Sequence, residues 1–421
     1  WDSLEKELFL IRDALGVKPL YFCEMELGIT FASEIKAILP FENKMSPNKK
    51  NNSGNFIDAE NINRYLTFLW CPGNGTPLKK IRKVGPGEYL KVKNGQLENK
   101  VKWYLLPTFN LKTKKLNKFD SIQGTYENLK KAVDRQLISD VPVGAFLSGG
   151  LDSSSIVAIA SQTLPKINCF TIKINGQHEK GFVDDLPYAK RVANHLNLPL
   201  DIVEVESSAL ASRLEEMVWQ LDEPLADVAP LNVLLISRLA KKQGIKVLLS
   251  GAGGDDIFSG YSRHLSLKLD SYWNWLPKNI RINLETLTSN ISIEKPFYRR
   301  IRKIFSGASL NADDRIINYF KWIDSRNLEN LYTKKFFSQL KNIKAELPIL
   351  NFVNEFPNGL SPLEKMLAIE QRFFLTDHNL TYVDKMSMRE GVEVRVPFLD
   401  TDLLEFTSRI PDKYKLRGFD S

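Results

Sequence analysis

The sequence predicts an α/β protein, with a parallel sheet over residues 119–421 and a β-rich part over residues 1–110 before it. Three observations carry that expectation. From Phe119 onward, helical apolar periodicity alternates with short apolar runs, the pattern of parallel strands joined by helices. One such run, Val143-Gly144-Ala145-Phe146-Leu147, passes through Ser148-Gly149-Gly150 straight into a helical stretch beginning at Leu151. Residues 1–41 instead alternate strand-like runs with turns, as a β-meander does.

Taken in order, Leu8-Phe9-Leu10-Ile11 reads as a strand, and Gly16 as a turn before the strand around Tyr21 and Phe22. Ile29-Thr30-Phe31-Ala32 reads as a third strand running into a helix. Residues 42–58 are rich in Asn, Lys, Ser and Gly and read as a surface loop. A helix follows over 58–68, then a turn at Pro72-Gly73-Asn74-Gly75 and a hairpin at Asn94-Gly95. The Lys-rich segment ending at Lys118 reads as the linker. Beyond it come a helix over 122–138, the strand–loop–helix unit, and a strand at 168–174. Next are a helix over 187–196 preceded by Asp184-Asp185, a strand at 202–205, and helices at 210–221 and 230–242. A strand over 246–249 then feeds Ser250-Gly251-Ala252-Gly253-Gly254-Asp255-Asp256, and residues 265–360 read as largely helical. Ligands of open parallel sheets sit beyond the C-terminal ends of the strands. The ends at 146–152, at Ile172 and at 250–256 are therefore expected to share one crevice.

Composition narrows the function classes. A chain of 421 residues has room for two or more domains. Its 43% hydrophobic and 26% charged residues are those of a soluble globular protein. No apolar run approaches the roughly 20 residues that span a bilayer, and no signal peptide is recognised, so no membrane partner is expected. The chain opens mid-pattern at Trp1 and reads as a fragment. The formal charge of +8 is concentrated partly in 112–118 and partly in Tyr298-Arg299-Arg300-Ile301-Arg302-Lys303. Nucleic acid is one explanation of such runs. A solvated face on a protein handling anionic substrates is preferred, because the runs lack the interleaved aromatics of a base-stacking platform. Cys23, Cys71 and Cys169 are isolated thiols without Cys-x-x-Cys spacing, and only four histidines are present. This fits a reducing cytoplasm and no structural metal cluster.

Three constellations carry chemistry. In the first, Gly149 and Gly150 let the backbone turn beside a ligand, and the following helix start offers N–H groups to an anion. Ser148, Ser153 and Ser154 add hydroxyls. Asp152 would repel a bare phosphate there, but fits if a divalent cation bridges the two. This is the reading of a nucleotide-phosphate site with Mg²⁺, against an ordinary capped strand–turn–helix; it is not a Walker A loop. In the second, Ser250 through Asp256 is a Gly-rich loop with Asp255 placed to share a metal with Asp152. The plain alternative is a capped turn. In the third, Asp377-His378 and Asp384-Lys385-Met386-Ser387-Met388 precede Glu393-Val394-Arg395-Val396-Pro397-Phe398-Leu399-Asp400. Alternation puts Glu393 and Arg395 on one face, where an exposed ion pair is the plain reading. His378 reads as structural rather than as a general base.

The first string resembles the Ser-Gly-Gly-x-Asp-Ser-Ser loop of the PP-loop ATP pyrophosphatases, which cleave ATP to AMP and pyrophosphate. All three strings, in order, resemble the glutamine-hydrolysing asparagine synthetase family, as does Asp222-Glu223-Pro224-Leu225-Ala226-Asp227. Arg12-Asp13-Ala14-Leu15-Gly16-Val17-Lys18-Pro19-Leu20-Tyr21 and Phe31-Ala32-Ser33-Glu34 resemble the closing third of that family's Ntn-type glutaminase domain. The resemblance covers nearly the whole chain except 42–57 and 265–360.

The resemblance implies a remnant of the glutaminase domain plus linker over 1–110 and an ATP-dependent synthetase domain over 119–421. It implies ATP and Mg²⁺, with the Ser148, Gly149 and Gly150 amides on pyrophosphate. Phe146, Ile172, Ser250 and Gly251 fall at nucleotide contacts, and Asp152 and Asp255 at metal ligands. Asp384 and Glu393 fall on the acceptor side. The implied partners are glutamine and a carboxylate, aspartate first among them, in the cytoplasm; a homodimer stays open. The family's N-terminal catalytic Cys and glutamine-binding residues lie upstream of this sequence, its basic pyrophosphate residue lies downstream, and Cys23 is no substitute nucleophile. One departure stands out: Ala252 occupies a position where the family has Asp or Glu. Either Asp256 or another acid takes that role, or the acceptor is another carboxylate, such as a sugar acid or a peptide. A nucleotide-binding homologue without chemistry is the remaining alternative.

Overall fold

The computed structural model describes residues 1–45, 56–110, 115–176, 185–291, 296–323, 325–340 and 343–416. Its N-terminal part is β-rich. Six strands, β1 (Glu7–Ile11), β2 (Tyr21–Met25), β3 (Gly28–Ala32), β4 (Ile81–Lys83), β5 (Glu88–Lys93) and β6 (Gln96–Lys102), form two antiparallel sheets. Their orders are β1-β5-β6 and β3-β2-β4. Asn94 and Gly95 join β5 to β6, both with positive φ, as a two-residue hairpin of matching twist requires. In β5 every second side chain is buried, so one face packs inward. The helix Ile35–Met45 continues through residues 42–45, where the sequence reads as loop; 46–55 lie outside the described residues. Asp58 caps the helix Ala59–Phe68 by accepting the Asn61 amide at 3.1 Å.

The second part is a five-stranded sheet, all parallel, built from β7 (Val143–Phe146), β8 (Asn168–Asn175), β9 (Leu200–Glu206), β10 (Val247–Leu249) and β11 (Glu393–Arg395). The order is β11-β10-β7-β8-β9. The expected helix over 122–138 is Lys118–Leu137. Helices Leu151–Thr163 and Leu186–Leu196 make the first two crossovers; Asp184, read beside Asp185, lies outside the described residues. The single helix expected over 210–221 is two, Ser207–Ala211 and Leu214–Leu221, and Ala229–Lys242 follows it. All three residues of β10, which lies between β11 and β7, are buried, which is why this interior strand reads as a continuous apolar run.

Between β10 and β11 lies a helical excursion that includes most of 265–360, as the sequence suggests; the basic run falls on the helix Pro296–Phe305. Its return leg starts at Ser361, where a capping box with Glu364 opens the helix Pro362–Ile369. The leg then widens into a π-helical stretch, Glu370–Leu380, before the helix Thr381–Arg389. Leu15, Phe68, Trp70 and Leu106 of the N-terminal part share one buried cluster with Leu147, Ile156, Phe373 and Phe398. The two parts therefore share an apolar core, in which each large side chain contributes about 1.5–3 kcal/mol through burial. Among the described residues, no helix is long and apolar enough to cross a membrane. All three cysteines are buried, and burial pushes the Cys71 and Cys169 thiols up to about 12.

Candidate functional site

Strands β7 and β10 are parallel neighbours, with Gly144 opposite Leu248 and Ala145 opposite Leu249. The chain therefore leaves both strands side by side, at the C-terminal edge of the sheet. The two departing loops wall a cleft of about 700 Å³. Phe146, Ser148, Gly150, Asp152 and Ser153 line it from the first loop. Ser250, Gly251, Ala252 and Asp255 line it from the second, and Ser259 and Lys415 complete the polar lining.

The first loop is braced from within. The Ser148 and Ser153 hydroxyls lie 3.0 Å apart, the Ser148 amide donates to Ser153 Oγ at 3.3 Å, and the Gly150 amide donates to Ser148 Oγ at 3.3 Å. Gly149 has φ +81°, and a Cβ there would stand 2.4 Å from the backbone of Tyr188 and Ala189. Only glycine permits that turn against the helix Leu186–Leu196. Gly150 is the N-cap of the helix Leu151–Thr163 and provides no side-chain acceptor. The first-turn amides are therefore left for an anion, which the positive end of the helix dipole also favours. Ser154 Oγ is buried without a partner, as is Ser259 Oγ, on a residue held at φ +75°. Polar groups stranded in this way are what a bound ligand would satisfy.

The two carboxylates are forced together. A Cβ on Gly254 would stand 2.2 Å from Asp152 Oδ2, so only a glycine backbone leaves room for that side chain. Burial, and then the charge on Asp255, push the Asp152 carboxyl up to about 6, and the Asp255 amide offsets only part of this. Asp255 is also raised, chiefly by burial. Neither forms an ion pair with another of the described residues. Two oxygen donors in mutual repulsion beside a helix N-terminus suit Mg²⁺, which takes one or two carboxylates and completes its shell with phosphate oxygens and water.

Beneath the cleft lies a buried polar layer. Asp256 is fully buried, with Oδ2 accepting from the Tyr261 hydroxyl at 3.2 Å and Oδ1 unpartnered. It faces Tyr261 and is absent from the cleft wall, so it does not stand in for Ala252. The π-helical stretch contributes Glu370, on Arg263 and His264, and Asn379, on the Tyr261 hydroxyl. His378 stacks on Phe374, meets Asn379 Oδ1 at 2.7 Å and Asp227 Oδ2 at 3.4 Å, and so is structural.

A third group of polar residues forms a seam between the two parts of the chain. Lys83 Nζ lies 3.2 Å from Asp377 and 3.5 Å from Glu223, and Glu223 also accepts from the Tyr21 hydroxyl at 2.8 Å. Asp222 takes Lys385 at 2.6 Å and Lys36 at 2.9 Å. Asp222 and Glu223 thus join the two parts of the chain, while Asp227 meets His378.

The structure brings Phe146, Ser148, Gly150, Asp152, Ser153, Ser250, Gly251 and Asp255 to the cleft wall, with Gly149 inside the first loop and Ser154 on the helix that follows it. It sets three expected residues apart from the cleft. Ile172 lies on β8, two residues past Phe170, the last partner of β7 on that strand, and packs behind Phe146 in an apolar cluster. Asp384 accepts Lys18 Nζ at 2.6 Å and belongs to the seam. Glu393 opens β11, at the opposite end of the sheet from the cleft, and pairs with Arg395 at 3.1 Å; Arg395 also donates to the Gln136 and Ile138 carbonyls. Ser259 and Lys415 are in the cleft without having been anticipated. The Gly-rich character of the second loop extends to Gly260 and marks the neighbourhood of Ser259; no local pattern marks Lys415.

Residues 124–420 match the family model described as asparagine synthase, and residues 1–104 match a glutamine amidotransferase domain. Asparagine synthetase [glutamine-hydrolyzing] 1 of Bacillus subtilis is 26% identical, over 99% of this chain and 62% of its own. A putative asparagine synthetase of Mycobacterium bovis is 28% identical, over 99% and 61%. A Penicillium rubens protein named amidase chyE is 27% identical, over 99% and 63%. The chain thus spans about three fifths of the length of these relatives.

Proposed function

This chain belongs to the asparagine synthase family, and from that footing we propose that it is the ATP-using part of a glutamine-dependent amidotransferase, preceded by part of the glutaminase. The observation that carries the reading is the meeting, in one cleft, of an uncapped helix start with the mutually repelling Asp152 and Asp255. An acceptor carboxylate oxygen attacks the α-phosphorus of ATP, the bond to the β-phosphate oxygen breaks, and pyrophosphate leaves. Ammonia from glutamine then attacks the acyl carbon, and AMP leaves with the former carboxylate oxygen.

The chain's own part is positioning and charge stabilisation, on which phosphoryl and adenylyl transfers depend. The Ser148–Gly150 loop and the first-turn amides of the helix Leu151–Thr163 hold the phosphates. Phe146, with Ile172 packed behind it, offers the nucleoside an apolar wall. Asp152 and Asp255 would hold Mg²⁺, which when bound neutralises charge on the phosphate oxygens. Asp384 and Glu393 take no part in the cleft in this reading. The decisive measurement is the nucleotide product formed by the full-length protein with ammonia and candidate carboxylates. AMP and pyrophosphate are expected, and ADP would overturn the reading.

Aspartate is the first acceptor to try. A second reading, in which the acceptor is another carboxylate such as a sugar acid or a peptide, is favoured by Ala252. Its methyl group lines the cleft and packs against the apolar core, and Asp256 beneath it faces away. Aspartate-dependent AMP release as fast as that of a relative with Asp or Glu at this position would dispose of the second reading.

A further inference from the structure

The proposed chemistry leaves a polar group of the cleft unused. Ser259 lines the cleft, is 4% exposed, and holds its hydroxyl oxygen buried without a partner. We infer that this hydroxyl hydrogen-bonds the acceptor and selects a polyhydroxy acid of the hexuronate kind over an amino acid. The inference rests on the second reading above, in which Ala252 marks an acceptor other than aspartate, and it narrows that reading to one chemical class.

The local structure singles Ser259 out. It is the C-cap of the one-turn helix Gly254–Phe258, with φ +75° and ψ 57°, and its amide donates to the Asp255 carbonyl at 2.9 Å. A left-handed residue at a helix end is ordinarily glycine, because a side chain there crowds the backbone. A serine therefore carries backbone strain, and its hydroxyl, cut off from water, adds the cost of an unmade hydrogen bond. Glycine would remove both. The next residue, Gly260, leaves room for the Asp255 carboxylate, since a Cβ there would overlap Oδ1. Ser259 thus lies beside that acid without bonding to it, and its hydroxyl is left for a ligand.

The rest of the lining states what kind of ligand. Among the described lining residues the acids are Asp152 and Asp255, and both hold the metal in the reading above. Neither is left to pair with the ammonium group of an amino acid, and Lys415, the other charged residue of that lining, repels one. Ala252 offers a methyl group only. A serine hydroxyl both donates and accepts, which complements another hydroxyl, and a polyhydroxy acid carries several beside its carboxylate. Ala252 and Ser259 flank a helix of five residues, about 7.5 Å of rise, so one small molecule can meet the methyl group and the hydroxyl together. A site that hydrogen-bonds a substrate hydroxyl rejects analogues lacking it, because its own buried group is then unpaired.

The test measures AMP release by the full-length protein with saturating ATP, Mg²⁺ and ammonia. The acceptors are glucuronate, galacturonate, aspartate and a short peptide containing glutamate. One of the two hexuronates is expected to be the best acceptor. Ser259→Gly and Ser259→Ala are expected to raise the KM for it about threefold to tenfold, the span of one neutral hydrogen bond, with kcat and pyrophosphate affinity within about twofold. Ser259→Gly is also expected to melt above wild type, since it removes the strain together with the stranded hydroxyl. A residue with a structural role alone would not weaken the acceptor while stabilising the fold. Unchanged KM in both variants overturns the inference and leaves the second reading standing. A parallel loss of pyrophosphate affinity also overturns it, because the hydroxyl would then serve the phosphates. AMP release with neither hexuronate overturns it as well; if aspartate serves instead, the second reading falls with it, and if the peptide serves, that reading stands.

Discussion

The seam between the two parts and the cleft at the sheet edge are both buried and rich in carboxylates, yet they are built on opposite terms. In the seam each acid has a cation. Burial alone would raise Asp222, but Lys385 and Lys36 outweigh it and hold its carboxyl below the ordinary value. The same holds in reverse for Lys83: burial opposes its charge, and Asp377 and Glu223 more than restore it. In the cleft, neither Asp152 nor Asp255 forms an ion pair with another of the described residues, and both are raised, chiefly by burial. Two hydroxyls nearby have no partner, and Ser259 sits in a backbone region that a serine rarely adopts. The seam satisfies its own polar groups; the cleft leaves its groups to be satisfied by something else. Where a fold leaves such groups unsatisfied is a sound guide to where it binds.

This contrast can be broken by experiment. Lys83→Met strands Asp377 and Glu223 in the seam and is expected to cost about 3–5 kcal/mol in denaturant unfolding. A cost below about 1 kcal/mol would mean that the seam is not paired as described. Asp152→Asn is expected to lower pyrophosphate release by at least about 100-fold, with stability unchanged or slightly raised. An active variant would remove the metal role of Asp152, and an unfolded one would move Asp152 to the structural side of the comparison.

Asp152 in the cleft and Asp222 in the seam should also respond oppositely to acid, whereas burial raises Asp384 even though it meets Lys18. The folded protein raises Asp152 from 3.8 to about 6. It therefore favours the protonated form, and that contribution is lost as pH climbs through this window. Asp222 is lowered, so its contribution is present above its unfolded value and is lost only as pH falls through the folded one. Without metal or nucleotide, Asp152→Asn is expected to be more stable than wild type near pH 7, with the gap narrowing as pH falls through about 6 and closing below 3.8. A gap that widens on acidification would contradict the raised carboxyl of Asp152, which burial and then the charge on Asp255 produce. The smallest effect is expected at β11, where Glu393→Gln removes a partly exposed ion pair. It should change stability by less than about 1 kcal/mol and leave turnover intact. A large fall in turnover would return Glu393 to the acceptor side of the site.

Much of the cleft was legible because its signals are local. A strand, two glycines, an acid and a helix start within a few positions leave the backbone few options, and the second loop repeats the pattern after β10. The same locality made the hairpin at Asn94-Gly95 and the parallel strands readable. It failed where pairing is distant. Tyr21 meets Glu223 across 202 positions, and Lys18 meets Asp384 across 366. Asp384, expected on the acceptor side through the family resemblance, instead meets Lys18 of the N-terminal part. Glu393, expected on the acceptor side through the family resemblance, opens β11 at the opposite end of the sheet from the cleft.

Local chemistry therefore places an α/β sheet, a Gly-rich loop at a helix start and the acids Asp152 and Asp255 on this chain, since those features depend on neighbours a few residues apart. The arrangement in space had to supply the rest. It set Asp152 against Gly254, turned Asp256 away from the cleft beneath Ala252, and brought Lys415 into it from beyond the last strand. Each of these depends on how the loops after β7 and β10 meet the elements behind them. No run of residues encodes such a meeting; it emerges when the strands align and the apolar core closes around them.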